Sequence, residues 1–195
     1  MMRIKYGIDI PIEMHAIIRS AECCYKASRL AVEMAEKHGA RLHILHLTSG
    51  IETDLFKNKV SLELKRITTE VCVQNLCFSN SDYSRLGTRI KWNPSIKFPK
   101  DRDQLWEAML DDQIDMIVTD HAPQAIEEKE QPYLQSMSGA PMVQHGFLLM
   151  LECFRQGKIT LEKIAQKMCH APAIIYGLEK RGFIREGYFA DLVVV

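Results

Sequence analysis

Two β-favouring runs end in side chains that can do chemistry. "RLHILHL" (41–47) carries His43 and His46 ahead of Thr48-Ser49-Gly50, and "DMIVTDHAPQ" (115–124) leads an apolar run into Thr119-Asp120-His121. An imidazole and a carboxylate at strand ends are what metal ligation or proton transfer needs, and the carboxyl ends of parallel strands are where α/β enzymes place reacting groups. On a regular strand side chains alternate, so Asp120 shares a face with Met116 and Val118 while His121 points away from it. By the same rule His43 and His46, three apart, fall on opposite faces, and only one of them lines a site. A plainer account stands beside each residue: Asp120 caps the next segment, His121 is a satisfied loop residue, and either histidine is structural. Asn93, in "KWNPSIK", is either a turn asparagine or an amide whose direction is fixed by Trp92 and Pro94 for a ligand.

The elements that must position these residues alternate along the chain. Ser20 caps "AECCYKASRLAVEMAEKHG", an amphipathic helix that Gly39 ends. A strand follows at 41–47, and Thr48-Ser49-Gly50 opens a second helix near Ile51. Further strands are expected at 67–73 and 114–120, with helices at "KDRDQLWEAMLDD", 144–156 and 160–170 and a long polar loop from Asp120 to about Pro141. Alternating helix and strand with few hairpin signals predicts an α/β fold on a parallel sheet. "RGFIREGYFADLVVV" differs: Gly182 and Gly187 between β-rich runs predict a small antiparallel element at 181–195.

Composition narrows the partners. The 195 residues carry 25 basic and 25 acidic side chains, so no net field draws nucleic acid or an anionic membrane, and a small-molecule substrate is expected. The basic residues between Arg85 and Arg102 are interleaved with Asp82, Asp101 and Asp103 and read as a solvated face. Six cysteines without a C-x-x-C pair read as reduced, and no apolar run reaches the length of a membrane span, which points to a cytoplasmic protein.

In order, "RLHILHLTSG", "ITTEVCVQNLCFSNSDY", "IKWNPSIKFPKDRDQLWEAMLDDQIDMIVTDHAPQ", "EEKEQPYLQSMSGAPMVQH" and "GKITLEKIAQKMCHAPAIIYGLEKRGFIREGYFADLVVV" resemble the later part of a dihydroorotase of the amidohydrolase superfamily. The resemblance covers essentially the whole chain. It implies a partial TIM-type (β/α)8 barrel, the last three βα units, with residues 1–180 in the barrel and 181–195 beginning a flanking β-rich element. It implies one or two zinc ions (Zn2+), with His46 and Asp120 as metal ligands and Asp120 as the catalytic proton shuttle. Asn93, Ser138 and Gly139 would hold the ring, and the reaction would interconvert dihydroorotate and carbamoyl aspartate.

Departures are equally plain. The family's first-strand His-x-His, the arginine after it, the bridging carboxylate or carboxylated lysine and the fifth-strand histidine have no counterpart. Gln124 stands where the family usually has histidine, and Gln74-Asn75 where it has His-His. A zinc site takes about three protein ligands, so the two candidates here predict weak or absent metal binding and little turnover by this chain alone. The rival expectations are a non-catalytic scaffold subunit that partners aspartate transcarbamoylase, and a hydantoinase- or allantoinase-type hydrolase; as macromolecular partners, a second copy of the chain in a homo-oligomer or aspartate transcarbamoylase is expected.

Overall fold

A computed structural model describes residues 2–195. Its centre is a three-stranded parallel sheet in the order β1 (Leu42–Leu47), β2 (Ile67–Cys72), β3 (Met116–Val118). β1 and β2 each feed a crossover to the next strand, as parallel pairing demands. Helix α1 (Ala21–His38) precedes β1; Ser20 accepts from the Cys23 amide at its start, and Gly39, left-handed at φ 60°, stops it. The short helix α2 (Val73–Cys77) leaves β2 directly, α3 (Pro99–Leu110) leads towards β3, and α4 (Ile126–Lys129) and α5 (Gly146–Arg155) follow it.

Three expectations changed on folding. The segment after Ser49 is a 3-10 stretch, Gly50–Leu55, rather than an α-helix. The Glu52 carboxylate is committed to the Ser49 amide and hydroxyl and to the Ser28 hydroxyl, and the Thr53 hydroxyl donates back to the Gly50 carbonyl, so the turn closes before an α-helix develops. The 160–170 helix begins as predicted at Leu161 but widens into a π turn at Gln166–His170. Residues 181–195 contain turns and no strand. Left-handed backbone at Gly182 and Gly187 bends the segment, and Ile184, Phe189 and Val193 to Val195 stay exposed, so no apolar face is covered to fix a pairing.

One sheet face builds the core. Leu42, Ile44, Ile67, Val71 and Ile117 pack with Leu105, Met109, Ile114, Met150 and Ile164. Charges are buried at the amino ends of the strands: the Lys65 ammonium lies 2.6 Å from Asp115, and Lys167 donates to the Ile114 carbonyl and pairs with Asp112. The six cysteines are free, and no helix of the described residues is long and apolar enough to cross a membrane.

His15 ties the first segment to the rest. It is 1% exposed, with Nε2 2.6 Å from the Trp92 carbonyl and Nδ1 2.9 Å from the Tyr133 hydroxyl. Burial, aided by the Lys91, Arg19 and Lys97 charges, pushes its pKa down to about 4 against an opposing pull from the Trp92 carbonyl. A group depressed in the folded state stabilises fully above its unfolded pKa of 6.5 and loses that contribution as pH falls towards 4. Denaturant melts across that window should lose roughly 3 kcal/mol to this group, and His15→Gln should flatten the profile.

Candidate functional site

The two candidate ligands lie at one pole. His46 is the penultimate residue of β1 and Asp120 stands two residues past β3; because the strands are parallel, both carboxyl ends face the same way. Each residue breaks from extended geometry with positive φ, 40° at His46 and 45° at Asp120. Such backbone is uncommon outside glycine, though Asp and His adopt it more readily than most, and it clusters at functional sites. Two strand spacings, about 10 Å of backbone, separate them, with β2 between.

A bulge resets the histidines. His43 pairs with Thr68 and Ile44 with Thr69, but the next partner of Val71 is Leu47, so β1 carries one extra residue. That residue cancels the odd spacing, and His43 and His46 line the same cavity of about 680 Å3, together with Asn93, Arg19 and Glu52. The expectation that only one histidine lines a site is thereby corrected.

Glu70 connects the two histidines. It is 6% exposed; one carboxylate oxygen lies 3.0 Å from His43 Nε2 and the other accepts from the His46 amide at 3.3 Å. Two residues on, the Cys72 thiol is pushed up by burial first and then by the negative charges of Asp120 and Glu70. The sequence held a signal for Glu70, an acid inside the β-favouring run "ITTEVCV", which is rare unless the charge has partners.

Gln74 and Asn75 begin α2 and reach sideways. Gln74 donates to the Thr119 carbonyl at 3.2 Å, and Asn75 lies 3.5 Å from the Leu47 carbonyl. The two amides thus reach the backbone beside Asp120 and beside His46.

The ring-holding candidates converge separately. The Asn93 amide donates to the Ser138 hydroxyl at 3.1 Å, and the Gly139 amide donates to the Lys91 carbonyl. Gly139 has φ 148°, and a Cβ there would collide with the Ala122 carbonyl, so only glycine lets this turn lie against the segment that follows Asp120. His121 leaves the rim: its Nδ1 accepts from the Val143 amide.

Among the described residues no group of three or more His, Cys, Asp or Glu side chains could hold a metal ion. His46 and Asp120 supply two donors where zinc takes about three, so the residues present do not by themselves fit that ion.

The amidohydrolase family model matches residues 8–195. A dihydroorotase from Halobacterium salinarum is 32% identical over 177 residues, 91% of this chain and 40% of that protein. A probable allantoinase from Oryza sativa subsp. japonica is 34% identical over 164 residues, 80% of this chain and 31% of that protein. A D-hydantoinase (dihydropyrimidinase) from Thermus sp. superposes with a TM-score of 0.84 at 20% identity, covering 94% of this chain and 42% of that structure, a likeness of fold. The chain spans about two fifths or less of each of these proteins. With a family model matched across nearly its whole length, the chain belongs to the amidohydrolase family.

Proposed function

We propose that this chain forms the last three βα units of a (β/α)8 barrel that opens and closes a carboxylated cyclic amide, as a dihydroorotase does. The observation that supports this reading is a group of cations near Asn93 whose donors meet backbone carbonyls and no carboxylate, so their net positive charge is left unbalanced. Lys91 donates only to the Tyr133 and Ser136 carbonyls, and Lys129 only to the Lys91, Met137 and Gly139 carbonyls. Arg19 shares the cavity with Asn93, and after burial its charge adds to the lowering of the pKa of both His15 and Lys91. None of the three is bonded to a carboxylate among the described residues. Such a field favours an anionic ring over a neutral one.

In this reading Asn93 and the Ser138–Gly139 turn orient the ring. Asp120 takes a proton from the water that adds to the ring carbonyl, the C–N bond breaks, and the same proton passes to the departing nitrogen to give an open ureido acid. His46 stands at the same rim as a ligand candidate; zinc would need at least one further donor, and no step is assigned to it. A hydantoinase- or allantoinase-type substrate, uncharged at the corresponding position, draws nothing from this positive field.

Calorimetry with the purified chain tests the reading. Dihydroorotate should bind on the order of tenfold more tightly than dihydrouracil, which lacks only the carboxylate, and the advantage should shrink with added salt. Equal affinity would remove the basis for preferring the acidic ring. One observation favours a non-catalytic scaffold, the two-donor ligand set; a chain that binds neither ring and captures aspartate transcarbamoylase would support it.

A further inference from the structure

The turn that carries Ser138 and Gly139 has little regular structure of its own, yet it must meet Asn93 from one side and the segment after Asp120 from the other. Lys129, on α4, sits beneath it at 5% exposure. An ammonium has three donors, and all three are used: on the Lys91 carbonyl at 2.8 Å, the Met137 carbonyl at 3.1 Å and the Gly139 carbonyl at 2.9 Å. The Lys91 carbonyl also accepts from the Gly139 amide, and the Ala122 amide donates to the Ala140 carbonyl. Burying an ammonium without a carboxylate is unfavourable, and three carbonyls are the compensation available here. Neither a solvated charge nor an ion pair explains the arrangement.

We propose that Lys129 is a positioning residue whose ammonium fastens the Ser138–Gly139 turn to the Lys91–Asn93 segment, so that the amide and the turn face one ligand. The assignment rests on the ring-binding reading for its purpose, but the fastening is measurable without any ligand. A neutral amine has two donors and must release one carbonyl. Burial and then the Lys91 charge bring the Lys129 pKa down to about 8, within reach of mild alkali. Lys91 is the charged group facing it across the segment. On its own helix Glu128 bonds the Ala125 amide and Glu130 pairs with Arg89, while Tyr133 on the loop contacts His15.

The test is amide hydrogen exchange on the 195-residue chain, read as protection factors so that intrinsic base catalysis is removed. Protection of the Gly139 amide should fall about tenfold between pH 7 and 9.5 with a midpoint near 8, while core amides of β2 stay level. Lys129→Met should show the low protection at every pH, and Lys129→Arg should keep the charge without restoring the profile. A pH-independent Gly139 amide in the unmutated chain would overturn the proposal, whether or not Lys129→Met folds. Failure of the ring reading looks different: dihydroorotate and dihydrouracil would bind equally while the Gly139 profile persisted.

Discussion

Asp115→Ala is expected to lower the unfolding free energy by about 3–5 kcal/mol, because it leaves Lys65 charged and buried. Asp115 is 5% exposed; one oxygen takes Lys65 at 2.6 Å and the other accepts from the Thr69 amide at 2.8 Å, which ties the start of β3 to β2. Burial outweighs both contacts and lifts the Asp115 carboxyl above its ordinary range. Desolvation is thus the larger quantity, and it predicts an asymmetry. Removing one partner is severe, whereas Lys65→Met with Asp115→Leu together should recover most of the loss. A double-mutant cycle by urea denaturation measures this. A double variant as unstable as Asp115→Ala would mean that the pair itself, rather than the stranded charge, carries the stability.

Glu70→Ala should cost about 2–4 kcal/mol, since it orphans the His46 amide and the Nε2 of His43, whose Nδ1 alone keeps a partner in the Thr68 hydroxyl. It should also release His46 from its φ of 40°, because the carboxylate is the acceptor that rewards that backbone. Glu70→Gln retains an acceptor and should lose about half as much. Thermal melts compare the three proteins, and backbone chemical shifts at His46 report its conformation. Shifts unchanged in Glu70→Ala would show that the bulge alone sets that geometry.

Hydrophobic periodicity made the α/β alternation and its parallel sheet legible, and Ser20 and Gly39 marked the ends of α1 through capping chemistry visible in the letters. The β1 bulge was hidden, since one extra residue in "LHILHL" leaves no trace in an apolar pattern, and with it went the shared face of His43 and His46. Lys129 was concealed inside "EEKE", which reads as a polar loop until three carbonyls close over it. Residues 181–195 misled because β propensity reports fitness for a covered surface, and none covers them. His46, Asp120 and Asn93 were legible as candidates through the resemblance and the strand-end rule; Glu70 and Lys129 make contacts, largely to backbone atoms, that no motif records.

We propose that the carboxyl-end rim, from His46 past Asp120 to Asn93 and Gly139, is where a carboxylated ring is handled. A titration of the isotope-labelled chain with dihydroorotate, followed by NMR, tests it most directly, because the opposite pole offers rival cations in Lys163, Lys167 and Arg185. The Asn93 side-chain amide and the Gly139 backbone amide should move first and furthest, with His46 following. Perturbations confined to the Lys167 and Arg185 end, with the Asn93 and Gly139 signals still, would contradict it.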